Sequence, residues 1–230
     1  IKSVGFITFK KTKDISSDAK GLRQINFKPD GKIMYVTNRE NDDISTVDTV
    51  KQYSLSTPFD ISTATLTSST LLTNIDKPHA IHFKTDGKVM YVVDNGSLTI
   101  EQYNLTTAWD TSTLVYDDNF TISDEDQLRS LAFKYDGTKM YVVGEDADYV
   151  NEYTLSKGFD LSTAVYAGDA ERFLVSGQES IPIDIDFNSN GTKMYVVGWD
   201  GNDINEYTLS TAFDVSTASF EDNFSVSSED

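Results

Sequence analysis

The sequence predicts an all-β protein made of four repeated units, and three observations carry that prediction. One twelve-residue phrase, Phe133-Lys-Tyr-Asp-Gly-Thr-Lys-Met-Tyr-Val-Val-Gly144, returns with small changes from Phe27, Phe83 and Phe187. A second phrase, Gln52-Tyr-Ser-Leu-Ser-Thr-Pro-Phe-Asp-Ile-Ser-Thr-Ala64, is echoed around Tyr103, Tyr153 and Tyr207. The copies recur every 50 to 56 residues. That period is too long for a leucine-rich or ankyrin unit and suits the blade of a β-propeller, which holds four antiparallel strands.

The elements follow in order within each unit. The first phrase is an apolar segment, a turn on Asp-Gly or Asn-Gly, and a run rich in Tyr and Val, which reads as two antiparallel strands joined by a tight hairpin. The second phrase is a third strand ending in a corner: Phe59-Asp60, Trp109-Asp110, Phe159-Asp160 and Phe213-Asp214 each lead into Ser-Thr. An Asp at that place accepts hydrogen bonds from the backbone just ahead and closes the turn. A fourth strand follows at Ala64-Thr-Leu-Thr, Thr113-Leu-Val-Tyr, Ala164-Val-Tyr and Ala218-Ser-Phe. The predicted organisation is a single domain over residues 1–230, with repeats at about 22–77, 78–127, 128–181 and 182–230. Residues 1–21 supply an extra N-terminal outer strand and a linker, with Ile7-Thr-Phe9 standing where Thr113-Leu-Val-Tyr116 stands in the second repeat. The expectation is a ring closed at four blades, in which this strand latches the last blade and covers its edge. The rival account is a segment of a longer repeat array.

Tyr35-Val-Thr-Asn38 after Pro29-Asp-Gly31 resembles the YVTN family of β-propeller repeats, known from cell-surface proteins of archaea and bacteria. The longer phrases from Gly191 to Gly198 and from Asn205 to Ala218 are similar to repeats in uncharacterised proteins of marine bacteria and their phages. The resemblance runs from about Leu22 onward and implies the propeller fold, with an extracellular, cell-surface or virion location.

Composition narrows the function classes. The 230 residues carry 19 Lys plus Arg against 37 Asp plus Glu, a net charge of -18. Such a surface repels nucleic-acid phosphates and anionic lipid, so neither is an expected partner. Cysteine is absent, which removes thiol catalysis, disulfides and thiolate metal sites. No apolar run approaches the roughly 20 residues that cross a bilayer, and no membrane insertion is expected. Ile1 in place of an initiator Met leaves room for a leader or an upstream domain.

Residues that repeat build scaffold, so the places where the repeats disagree are the candidate sites. Val36 to Tyr53 is 17 residues where the matching intervals are 11, an insertion of six around residues 41–47. Asp160 to Phe187 is 27 residues against 23 elsewhere, which predicts a four-residue insertion in the connection to the fourth blade, near Gly168-Asp-Ala-Glu-Arg-Phe173. Strand alternation puts both on one face, and variable loops on a rigid scaffold favour binding there. Four residues before the landmark Phe stand Arg23, His79, Arg129 and Ile183, a ring of cations suited to a carboxylate, sulfate or phosphate group. The competing reading is structural pairing with acids such as Asp18 and Asp126. Trp199 and Asp200 at a loop tip, with Tyr149 and Arg172 on neighbouring loops, complete the candidate ligand-binding set. His79 and His82 lie three apart on a strand and so face opposite sides, a poor metal pair. No phosphate-binding Gly-rich loop or nucleophile turn is present.

These features favour a non-enzymatic module on a cell or virion surface that binds a glycan or a surface protein through its variable face. No catalytic or metal residue is assigned and no cofactor is expected, Ca²⁺ being the ion the loop carboxylates would suit. The alternatives are a structural spacer in a longer surface or tail protein, and a metal-dependent propeller hydrolase or lactonase.

Overall fold

The computed structural model describes residues 11–39, 48–145 and 148–226. The predicted N-terminal strand at Ile7-Thr-Phe9 and the insertion at 41–47 lie outside these residues. Within them the chain is all-β, four blades each with a four-stranded antiparallel sheet at its core. The inner strands are Leu22–Phe27, Pro78–Phe83, Leu128–Phe133 and Pro182–Phe187, and each sheet runs outward in sequence order.

Each hairpin and corner form one unit. The hairpin glycines Gly31, Gly87, Gly137 and Gly191 have φ of 69 to 71°, the left-handed region that favours glycine. A Cβ there would also meet the ring of the corner aromatic at 2.1 to 2.3 Å. The aromatics Phe59, Trp109, Phe159 and Phe213 are themselves at φ of 59 to 67°, fixed because each backbone N–H donates to the hairpin glycine's carbonyl. The following Asp caps a 3-10 turn: Asp60 Oδ1 accepts from the Ser62 N–H at 3.1 Å, and Asp110 and Asp160 repeat the bond.

The third blade departs from the expected layout. Its outer strand Ala164–Tyr166 stops, a 3-10 turn follows at Asp169–Glu171, and Phe173–Leu174 then resumes pairing with the third strand, Phe173 opposite Val150. Three of the four inserted residues therefore bulge out of the outer strand, and one remains in the connection to the fourth blade. Two residues are too short a strand to be read from sequence.

Successive blades are joined by one recurring clasp. Tyr35, Tyr91 and Tyr141 stack on Phe83, Phe133 and Phe187 of the next blade, with ring centroids 4.5, 4.7 and 4.5 Å apart. Their hydroxyls donate to the carbonyls of Trp109, Phe159 and Phe213 at 2.7, 2.5 and 2.6 Å. All three tyrosines are fully buried. The seam between the fourth blade and the first is built differently. Tyr195, the fourth tyrosine of the series, is only half-buried, and Phe59, whose carbonyl would match it, is 58% exposed. On the first blade's side a groove of about 290 Å³ opens among Ile15, Ile25, Met34, Val36 and Ile61. A side-chain hydrogen bond from Gln24 Nε2 to Asp184 Oδ1, 3.4 Å long, bridges the seam.

Candidate active site

Each inner strand carries a register irregularity near its start, between Leu22 and Ile25, Pro78 and Ile81, Leu128 and Ser130, and Pro182 and Asp184. A bulge re-aims the residues within it. Arg23, His79, Arg129 and Ile183 all fall there, and all four line one cleft of about 650 Å³. The lip just past the second strands adds Arg39 and Trp199. Three of the chain's four arginines thus converge on one opening in an acidic protein.

The cations are held in place. Arg129 Nη1 lies 2.9 Å from His79 Nε2, its Nη2 lies 3.3 Å from Gln127 Oε1, and Glu145 forms an ion pair with it. His79 is buried, and its pKa is pushed down to about 3 by that burial and then by the guanidiniums of Arg129, Arg23 and Arg39. A neutral imidazole accepts the Arg129 hydrogen bond and orients the guanidinium. His82, by contrast, stacks on Phe133 with centroids 5.3 Å apart, away from this cleft, and burial pushes it down to about 4. The two histidines do not meet.

In the same lining as the cations stands a carboxylate that sequence reasoning missed. Asp184 lines the cleft, and its Oδ1 accepts from the Ser130 hydroxyl, the Ile185 N–H at 3.0 Å and Gln24 Nε2. Burial raises its pKa above the usual carboxylate range, while the bonds from Ser130 and Ile185 pull it back. The signal was present: the blades align Gln24, Ala80, Ser130 and Asp184 at one position, immediately after the ring that was noticed. Arg39 was missed in the same way.

Three of the predicted site residues lie apart from the cleft lining. Arg172 lies over the Tyr149 ring at 3.9 Å and pairs with Asp169 at 3.4 Å, a cluster at the outer part of the third blade. Asp200 accepts from the Ser180 hydroxyl at 2.6 Å. Among the described residues no group of three or more His, Asp or Glu side chains is placed to hold a metal ion.

The cleft therefore combines guanidiniums with a carboxylate able to take a proton. Residues 72–212 match the family profile described as lactonase, 7-bladed β-propeller. The chain belongs to this lactonase family. Among solved structures it is similar to a 6-phosphogluconolactonase homologue from Bacteroides uniformis, at 16% identity and TM-score 0.57, over 90% of this chain and 59% of that one. A Lactobacillus plantarum protein matches at 14% identity and TM-score 0.57, over 89% of this chain and 55% of that one. The periplasmic gluconolactonase of Pseudomonas aeruginosa matches at 13% and 0.53, over 88% and 53%. This lactonase-family chain thus spans 53 to 59% of the length of those proteins, and its described residues form four blades. No curated protein sequence matches it.

Membership in the lactonase family overturns two expectations, that of a non-enzymatic binding module and that of no enzymatic activity. The reason is physical. A propeller assembles a site from single side chains contributed by several blades, so the absence of a contiguous catalytic motif carries no weight.

Proposed function

We propose that the protein hydrolyses a lactone that carries an anionic group. The observation that supports this best is Asp184, a carboxylate standing in the same cleft as Arg23, Arg39 and Arg129 in a chain of the lactonase family. In this reading a guanidinium holds the substrate's anionic group. Asp184 takes a proton from a water molecule as that water adds to the lactone carbonyl. The ring C–O bond then breaks, the carbonyl carbon leaves as a carboxylic acid, and the ring oxygen takes up a proton as a hydroxyl. Arg129, held by His79 and Glu145, stabilises the negative charge on the carbonyl oxygen during addition. The repeats are of the YVTN type in the same reading, on the strength of Tyr35-Val-Thr-Asn38.

The test is proton release from carboxylated and phosphorylated lactones in a pH-stat. Asp184→Asn is expected to lower kcat by about a hundredfold while circular dichroism stays that of the parent. Because burial raises the Asp184 pKa, parent activity should fall as pH drops through that raised value, and the variant should lose this limb. Retention of kcat within about threefold in Asp184→Asn removes Asp184 as the base. Absence of turnover on every anionic lactone removes the reading itself.

A further inference from the structure

The inner strands carry one column of aligned positions, Gln24, Ala80, Ser130 and Asp184, and its chemistry is patterned around the ring. The acid stands in the fourth blade. The third and first blades, on either side of it, each supply a side chain that can donate, and the second supplies Ala80, which cannot. Ser130 Oγ and Gln24 Nε2 both donate to Asp184 Oδ1, the latter at 3.4 Å, and the Ile185 N–H adds a bond to the same oxygen at 3.0 Å. Gln24 is itself fixed by the second blade. Its Oε1 accepts from the Ile81 N–H at 2.7 Å, which turns Nε2 towards Asp184. Asn26, two residues along the same strand, donates to the Ile81 carbonyl at 3.4 Å. All four blades thus act on one carboxyl oxygen. Among the described residues no donor reaches Oδ2. Asp184 is half-buried and lines the cleft, so Oδ2 is the oxygen left open to it.

We infer that Ser130 and Gln24 are positioning residues, which hold Oδ1 so that Asp184 works as an ionised base through Oδ2 alone. That this base activates water against a lactone rests on the reading above. Hydrogen bonds donated to a carboxylate favour its charged form. Burial opposes ionisation, and so does Asp186 on the same strand. The other charged or titratable side chains of the cleft lining are Arg23, Arg39, His79 and Arg129, and Val197 stands opposite Asp184 on the neighbouring strand. Ser130 and Gln24 are neutral. Removing either alters the carboxyl's hydrogen bonding and leaves every charge around it in place.

Carbon-13 NMR titration of the Asp184 carboxyl in the full chain without substrate, assigned with Asp184→Asn, tests this. Ser130→Ala is expected to raise the Asp184 pKa by about one pH unit. Gln24→Met keeps the side chain's length and loses the donor; it should raise the pKa by less, because the bond it removes is long. Asn26→Ala loosens the same strand without touching Asp184 and should leave the pKa where it was. Ser130 is buried, so circular dichroism checks the fold of Ser130→Ala, and Gln24→Met, at a half-buried position, carries the test if that variant does not fold. The inference is overturned by an Asp184 pKa that neither Ser130→Ala nor Gln24→Met raises, or that Asn26→Ala moves as far. Lactone turnover is measured separately. In Ser130→Ala the acid limb of kcat should move to higher pH with the pKa, while KM stays within about threefold. A raised pKa with no turnover of any lactone would uphold the positioning and remove the lactonase activity, whereas turnover with an unmoved pKa would do the opposite.

Discussion

The junctions between consecutive blades and the seam between the fourth blade and the first are assembled from the same repeat, and they end in different states. At each of the three junctions a buried tyrosine stacks on the next blade and donates to a corner carbonyl. At the seam Tyr195 is half-buried and Phe59 is exposed, and a side-chain pair, Gln24 with Asp184, spans the gap. The inner-strand residue that faces the next blade is Ala80 in the second blade, small enough for close packing, and Asp184 at the seam. The cleft lies where the four inner strands converge, with Arg129 and His79 entering it from the packed junction of the second and third blades and Asp184 from the seam.

That contrast is open to attack at three points. The largest effect is expected from glycine. Gly137→Ala places a Cβ 2.2 Å from Phe159 at φ +71°, in a blade packed on both sides, and should cost about 3 kcal/mol in urea unfolding. Gly31→Ala meets the same geometry, but its aromatic, Phe59, is exposed at the seam and free to turn away, so about 1 kcal/mol is expected. Equal losses would erase the distinction. A smaller difference is expected from the clasp itself. Tyr91→Phe deprives the Phe159 carbonyl of its hydroxyl donor and should cost about 1.5 kcal/mol, whereas Tyr195→Phe should stay within about 0.5 kcal/mol of the parent.

The smallest effect is pH-dependent. Glu101 lies on the face of the second blade that packs against the first, buried at 3% exposure and accepting from Thr99 Oγ1 at 2.6 Å. Lys51 holds the matching position of the first blade, on the seam side, and reaches Ser69 in solvent. Burial raises the Glu101 pKa above the ordinary carboxylate value. A group raised in the folded state favours folding below its unfolded pKa, and that contribution is lost as pH rises through the folded one. Glu101→Gln should therefore match the parent near pH 4 and gain on it as pH rises towards 8, read as a change in the midpoint of thermal unfolding. A constant difference across that range would show that the junction does not strain this carboxyl.

The fold was legible because its determinants are local and repeated. Asp30-Gly31 and Phe59-Asp60 specify a hairpin and a corner wherever they occur, and four copies leave little doubt about period. Arg23, His79 and Arg129 were legible for the same reason, since alignment of the repeats put them in one column. Asp184 was not, although it stands in the next column. With 37 acidic residues a carboxylate draws no notice by type, and what distinguishes this one is tertiary, a place in the cleft lining beside Ser130 and Gln24 of two other blades. Arg172 and Tyr149 were chosen as loop residues, but the resumed strand at Phe173–Leu174 draws them to the blade's outer part, where they stack on each other. The family was not legible in any contiguous motif, because a propeller draws the lining of its cleft from blades far apart in the chain.

The bond that joins Gln24 to Asp184 also sets an order of events. Its partners are 160 residues apart, whereas the clasp bonds between blades link residues 68 to 74 apart. Blades and their clasps can thus form from neighbouring stretches of chain, each closing a short loop, and propagate along the molecule. The meeting of the two ends requires the longest loop and comes after the blades exist to be brought together. The cleft is consequently the last native feature to be completed during refolding, and the first to open when the ends part.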